Sequence, residues 1–387
     1  MKLFECQACG QPLYFENSHC ESCGRRLGCL PSIQEISALE PEEGGWKALA
    51  QPEGRFRFCA NAEHDACNWL IPADEPDPYC RACRHNRTVP DLSNERNLVR
   101  WRSLEVAKRR LFYTLLRLGL PLTTRAEDPQ GLAFDFLSDP SENSPHGPSI
   151  LTGHDNGLIT INIAEADDAE RERRRHSMGE PYRTLLGHFR HEIGHYFWNV
   201  LVRNDPSLEQ FRLIFGDERQ DYGEALQAHY ANGPKENWQE SFVSAYAASH
   251  PWEDFAETWA HYLHIVDTLE TANAFGLKVR PRISRGPELA TEIDFDPHRE
   301  IDLNRLITAW LPLTFAVNSL NRSMGQPDLY PFVLPPGVIA KLSFIHERVH
   351  AWSGRRQGDE EDRNILKAVI GGLNSRVGAP QSAQAPL

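Results

Sequence analysis

The stretch that most constrains this chain is YRTLLGHFRHEIGHYFWNV, residues 182–200. His191 and His195 are four apart, so on a helix both rings leave one face and can reach one metal ion. Glu192 adjoins the first histidine, where its carboxylate can face a metal-bound water and take its proton. Leu185, Leu186, Phe189, Ile193, Phe197 and Val200 recur at spacings of three and four, the period of a helix with buried faces. Gly194 costs about 1 kcal/mol of helix propensity against alanine, so a second element is expected to approach closely there. The same pattern returns at His346-Glu347-Arg348-Val349-His350. The pattern alone therefore does not say which copy carries a site.

Nine cysteines lie within the first 83 residues. Cys6-x-x-Cys9 and Cys20-x-x-Cys23 form two knuckles whose four thiolates close a tetrahedral structural zinc site. Gly10 and Gly24 directly follow each pair, where a tight turn favours a residue without Cβ. So short a segment buries little core, and metal binding becomes part of its folding energy. Cys59, Cys67, Cys80 and Cys83 make a second candidate zinc site, with His64 an alternative to Cys67. Cys29 is left over, either as a buried thiol or as a ligand in a rearranged second site. A zinc ion held by four thiolates has no open position, so both sites read as structural: they dock a protein partner or cover the main domain.

Disulfides are the competing use of so many cysteines. The first twenty residues hold no apolar signal segment, so reduced thiolates in a cytoplasmic protein are expected. No run of apolar residues is long enough for a membrane span. A net charge of −13 disfavours a nucleic-acid partner. Nothing in the sequence speaks to oligomeric state.

With 387 residues the chain has room for two or three domains. Residues 95–118 repeat apolar positions at helical spacing, with a basic face expected in solvent; Gly119 and Pro121 end the run. AFDF within 132–137 alternates like a strand, and SDPSENSPHGPS reads as a surface loop. GLITINIA at 157–164 is a second strand, and 158–163 is the expected edge for binding extended substrate backbone. The interval 166–181 is charged and exposed. Helical runs at 222–231 and 301–322 supply scaffold. Asp294, Asp296 and Asp302 read as solvent-facing carboxylates.

Zinc at His191 and His195 needs a third protein ligand and one open position. SAYAASHPWEDFAETWAHYLHI, residues 244–265, offers it. Pro251 suits a first helical turn, which Glu253, Asp254 and Glu257 load with favourable charge. Glu253 can ligate while Glu257, on the same face, holds the far nitrogen of a zinc histidine. The alternative makes Glu257 the ligand, with His261 nearby. Tyr246 can point over the metal and donate to an oxyanion, or pack in the core. His250, His261 and His264 read as packing or capping residues, and His188 as a neighbour of the site.

LFECQACGQPLYFENSHCESCGRRLG, CRHNRTVPDL, GHFRHEIGHYFW, HPWEDFAETWAHY and NSLNRSMGQPDLYPFVLPPGVIAKLSFIH, in that order, resemble bacterial zinc-binding metallopeptidases that carry an amino-terminal zinc ribbon. The resemblance runs from the first knuckle to about Ala351. It implies an α+β fold: a mainly helical, zincin-like domain of the gluzincin type with a small sheet, preceded by one or two ribbons. Residues 1–90 are then the ribbon region, 91–351 the peptidase domain and 352–387 a terminal segment whose last part is disordered. A local similarity to the catalytic domain of anthrax lethal factor implies Glu253 as ligand, Tyr246 as oxyanion donor and Glu257 as the outer acid.

The expected activity is zinc-dependent hydrolysis of peptide or amide bonds, with Glu192 as base and one catalytic plus one or two structural zinc ions. The substrate is a peptide or protein. The alternative is a zinc-ribbon adaptor with a non-catalytic peptidase-like domain, which has no need of Glu192. HERVH near the end lacks both a preceding strand and a suitable downstream acid. It is expected to be a structural helix packed through Leu342, Ile345 and Val349, with His346 and His350 as ordinary polar residues.

Overall fold

The computed structural model describes residues 1–139, 150, 152–178, 184–283 and 289–354. Most of the expected loop at 138–149 and all of the expected disordered tail lie outside these residues. Strands β1 (Phe4–Glu5) and β2 (Pro12–Leu13) form a hairpin around the first knuckle. The Gly10 N–H donates to the Cys6 carbonyl and the Gly24 N–H to the Cys20 carbonyl, each at 2.8 Å. Both glycines hold left-handed φ, +74° and +71°, which an L side chain resists.

After the first thiol set comes an antiparallel sheet that the sequence reading did not anticipate, with Cys59 and Cys67 of the second set between its last two strands. Its strands are β3 (Leu27–Leu30), β4 (Glu35–Glu42), β5 (Gly45–Ala48), β6 (Gln51–Phe58) and β7 (Leu70–Pro72), arranged in chain order. The first and last strands meet at a bridge between Cys29 and Trp69. Cys29 is therefore a buried thiol inside β3, pushed up to about 12 by burial. It belongs to neither cysteine cluster.

A second sheet has the order β10-β11-β9-β8, from β8 (Asn86–Thr88), β9 (Ala133–Leu137), β10 (Gly153–Asp155) and β11 (Leu158–Asn162). β11 is the strand expected at 158–163, but it is not an edge. β10 pairs antiparallel with it across Asn156-Gly157, and β9 lies parallel on its other side. A hairpin partner has taken the edge position, so among the described residues the sheet's two edge strands are β10 and β8.

Helix α1 (Glu95–Arg117) precedes this sheet's middle strands, capped by the Asn94 side chain accepting from the Arg96 N–H at 3.0 Å. Its basic residues do not all face solvent. Lys108 and Arg109 are buried; Lys108 pairs with Glu105 at 2.8 Å and Arg109 donates to the Ala66 carbonyl. The charged interval folds as α2 (Asp168–Met178). Helices α3 (Leu185–Leu201), α4 (Leu208–Phe215), α5 (Tyr222–Asn232), α6 (Pro251–Ala274) and α7 (Leu303–Ser323) follow, with a short hairpin β12 (Lys278–Val279) and β13 (Thr291–Glu292) before α7. An eighth helix, α8, spans 336–354. The fold is α+β and mostly helical, with eight helices among the described residues. No described helix is long and apolar enough to cross a membrane.

A large apolar core runs through the molecule, and a separate small cluster of Leu30, Leu39, Ala48, Phe56 and Leu70 lies in the first sheet. Phe15 of the ribbon region meets Trp69 and Tyr113. Phe112 of α1 meets Phe134 of β9, which meets Phe189 of α3. At the centre α3 crosses α6. A Cβ placed on Gly194 falls 2.9 Å from Ala256 Cα and 3.3 Å from the Ala256 carbonyl oxygen, the close approach that the helix-breaking glycine foretold. Gly194→Ala is therefore expected to cost about 1–3 kcal/mol through overpacking, read as a lower denaturation midpoint with unchanged slope in chemical unfolding.

Candidate metal centres

The thiols of Cys6, Cys9, Cys20 and Cys23 converge in one cluster and those of Cys59, Cys67, Cys80 and Cys83 in another. Sulfur separations are 3.7 Å for Cys6–Cys23, 3.6 Å for Cys9–Cys20 and 3.8 Å for Cys67–Cys80. Zinc–sulfur bonds of about 2.3 Å span a tetrahedron with edges of about 3.8 Å, whereas a disulfide needs about 2.05 Å. All nine cysteines are free. The donor sets fit two structural zinc ions.

The two clusters differ in surroundings. Cys9 of the first is exposed, and the Arg25 backbone N–H pulls the Cys23 thiol down to about 6. All four thiols of the second are buried. Cys83 Sγ lies 3.7 Å from Glu105 Oε2, and the same glutamate holds the Lys108 ammonium. Burial alone would lower the Lys108 pKa; Glu105 and the Cys83 sulfur outweigh it and raise it. A buried cation thus stands beside four potential thiolates. His64 lies in a short helical turn outside the cluster, and Cys67 lies within it.

The third centre is built where α3 meets the start of α6. Thr184 caps α3, its hydroxyl accepting from the Gly187 N–H at 3.0 Å, and His250 caps α6 by accepting from the Trp252 N–H at 3.1 Å. Ligand atoms of His191, His195 and Glu253 lie within 4.8 Å of one another. Glu253 Oε2 is 3.0 Å from His191 Nε2, and Oε1 is 3.5 Å from His195 Nε2. His191 Nδ1 donates to Glu257 Oε1 at 2.7 Å, and the Ser244 hydroxyl donates to Glu257 Oε2 at 2.6 Å. With its proton on Nδ1, a neutral His191 turns a lone pair toward the Glu253 carboxylate. Two acceptors then face each other at 3.0 Å, an arrangement that a shared cation relieves.

Where no metal is bound, a proton on His191 Nε2 relieves the same contact. Burial opposes ionisation of Glu253, yet the His195 and His191 rings outweigh it and hold the carboxyl well below its usual range. For His191, burial is likewise outweighed by Glu253 and Glu257, and the ring is held well above its ordinary value. This donor set fits one zinc ion with an open position, and the HExxH spacing plus a downstream glutamate is a zinc-metallopeptidase active-site arrangement.

Around it the structure assembles rings from distant segments. Tyr246 lies beside His191, with centroids 5.9 Å apart. His195 has no hydrogen-bond partner at Nδ1 among the described residues; its ring instead packs 4.0 Å from Trp252 and 6.0 Å from His154 of β10. Tyr222, at the start of α5, donates its hydroxyl to Glu253 Oε1 at 2.5 Å. The sequence reading missed Trp252, His154 and Tyr222. Trp252 adjoins Glu253 and was within reach of inspection; the other two arrive only through folding. His188 pairs with Glu165 at 2.5 Å, His261 bonds Tyr330 at 2.7 Å and His264 faces Arg190, all as supporting residues.

A fourth group, Asp267, Glu270 and His298, is buried at the far part of α6. Arg190 pairs with Asp267, and Arg117 lies 3.1 Å from Glu270, so its charge is already met by cations and it forms an ion-pair network. Asp296 pairs with Arg117, Asp294 with Arg305, and Asp302 caps α7. The second HExxH lies on α8, where Leu342, Ile345 and Val349 are buried. His346 is buried too rather than an ordinary polar residue, 3.1 Å from the Tyr262 hydroxyl of α6. Among the described residues no metal-binding group includes it.

Residues 97–348 match the family described as "Putative zinc-binding metallo-peptidase". The chain belongs to this family. Residues 3–94 match a zinc-ribbon domain. Relatives in Mycobacterium tuberculosis (strain ATCC 25618 / H37Rv) and Mycobacterium bovis (strain ATCC BAA-935 / AF2122/97), each described as an uncharacterized protein, are 44% identical over 348 residues, covering 89% of this chain and 94% of theirs. No solved structure matches, and the local likeness to anthrax lethal factor finds no support.

Two measurements test these centres. Metal analysis is expected to find three zinc ions per chain, and Cys80→Ser to lose one together with a drop in thermal stability far beyond that of a surface substitution. Glu257→Gln is expected to weaken zinc at the His191–His195–Glu253 centre by about 10–100-fold in chelator competition.

Proposed function

We propose that this metallopeptidase-family protein hydrolyses peptide or amide bonds, with His191, His195 and Glu253 as zinc ligands. The observation that carries this reading is the convergence of those three residues beside Glu192, with Glu257 bound to the far nitrogen of His191. Bound zinc supplies a water of lowered pKa and a Lewis acid for the scissile carbonyl. Glu192 follows His191 on α3 and acts as general base, taking the water's proton and later delivering it to the leaving nitrogen. Tyr246 donates to the developing oxyanion; burial first, and the nearby Glu253 charge next, keep its phenol protonated.

Substrate backbone pairs along β10, whose outer side has no partner strand among the described residues and whose His154 packs against His195. This moves the substrate edge from β11 to β10. Nine unpaired cysteines support a reducing compartment such as the cytoplasm. The substrate class is a peptide or protein.

The test uses a quenched-fluorescence peptide library with the zinc-loaded protein. Glu192→Gln is expected to retain all of its zinc and lose turnover by at least about 100-fold, the scale of general acid–base catalysis. Equal cleavage by both proteins defeats the mechanism.

A further inference from the structure

Helix α5 is placed in an unusual way. It has eleven residues and an Asp221 cap, whose carboxylate accepts from the Glu224 N–H at 2.8 Å. No residue of it is buried. A helix of this length is marginal by itself and normally depends on an apolar face packed against its neighbours. The side-chain contacts of α5 run instead to the metal centre. The Tyr222 hydroxyl donates to Glu253 Oε1 at 2.5 Å. Its ring lies 5.3 Å from that of His250 and 5.7 Å from that of Trp252. Two turns further along, His229 lies 6.0 Å from Tyr246.

The hydroxyl contact also has a consequence for the carboxylate. Glu253 is 1% exposed, and its two oxygens face different histidines, Oε2 toward His191 and Oε1 toward His195. A charge-assisted O–H···O⁻ bond of 2.5 Å is among the strong ones. It occupies a lone pair of Oε1 and turns the carboxylate so that Oε2 faces the His191 lone pair.

We propose that Tyr222 is a positioning residue that orients Glu253 for the metal and, by the same hydrogen bond, holds α5 against the metal centre. This rests on the reading of Glu253 as a ligand. Seating of α5 and ligand geometry are then one event: loss of the Tyr222–Glu253 bond loosens both.

Tyr222→Phe removes the hydroxyl and keeps the ring against His250 and Trp252; Tyr222→Ala removes both. Three readouts are taken on the full-length protein: cobalt or zinc affinity by chelator competition, the visible spectrum of the cobalt-substituted centre, and hydrogen exchange of residues 222–232 with and without metal. Tyr222→Phe is expected to weaken metal binding about 10-fold, shift the cobalt bands, and speed exchange of α5 at least about 10-fold while exchange in α3 and the rest of α6 is unchanged. If the ring alone matters, Tyr222→Phe matches wild type in all three and only Tyr222→Ala departs, which overturns the proposal. None of the readouts needs turnover, and the exchange comparison without metal reads the Tyr222–Glu253 bond directly. Failure of hydrolysis is thereby separable from failure of the Tyr222 proposal.

Discussion

The crossing of α3 and α6 is the constraint on which the rest of the structure depends. Each helix carries part of a site that is useless alone: two histidines on one, a glutamate and its companion on the other. The crossing must be tight enough to bring Glu253 within 3.0 Å of His191. Gly194 permits this because its missing side chain lets the Ala256 backbone come close. The helix gives up propensity at one position and gains the interaxial distance that the metal centre needs.

Tightness at that crossing is supported from several sides. Lys341 of α8 pairs with Asp254 at 2.6 Å, and both side chains are buried; burial still pushes the Asp254 carboxyl up to about 7. This pins the first turn of α6, where Glu253 sits. From the other side, aromatic contacts through Phe134 and Phe112 tie α3 to β9 and α1. Helix α1 in turn carries Glu105 and Lys108 against the second cysteine cluster. The buried thiols are thus part of the same core as the histidines, while the more exposed first cluster stands at its margin.

Much of this was legible in the residues. The zinc helix, the cysteine clusters, the long helix ending near Gly119 and the strand at 158–162 follow from local spacing, which short-range sterics and periodicity control. So does the need for a close neighbour at Gly194. Less legible were features that depend on pairing between segments. Whether 158–162 forms an edge depends on the short strand before it, and a three-residue strand such as Gly153–Asp155 has almost no pattern of its own. The sheet at 27–72 is hidden by the cysteines around it, which point to metal knuckles, although Glu43-Gly44 marks a two-residue turn between β4 and β5.

By itself the sequence determined the chemistry available: two histidines and a glutamate at helical spacing, eight thiols in two sets, and a candidate acid pair at Glu253 and Glu257. Tertiary structure decided among equivalents. It brought HEIGH to the acids and buried His346 of HERVH against Tyr262, because α3 crosses α6 at its first turns whereas the HERVH turns of α8 meet α6 further along. It put Glu253 toward Nε2 of both histidines and Glu257 toward Nδ1 of His191, a distinction of one helical turn that spacing cannot make. It also delivered Tyr222, remote in sequence from both motifs, to Glu253. Those choices rest on the distance and direction between separate helices, and such quantities are set by packing rather than by any local run of residues.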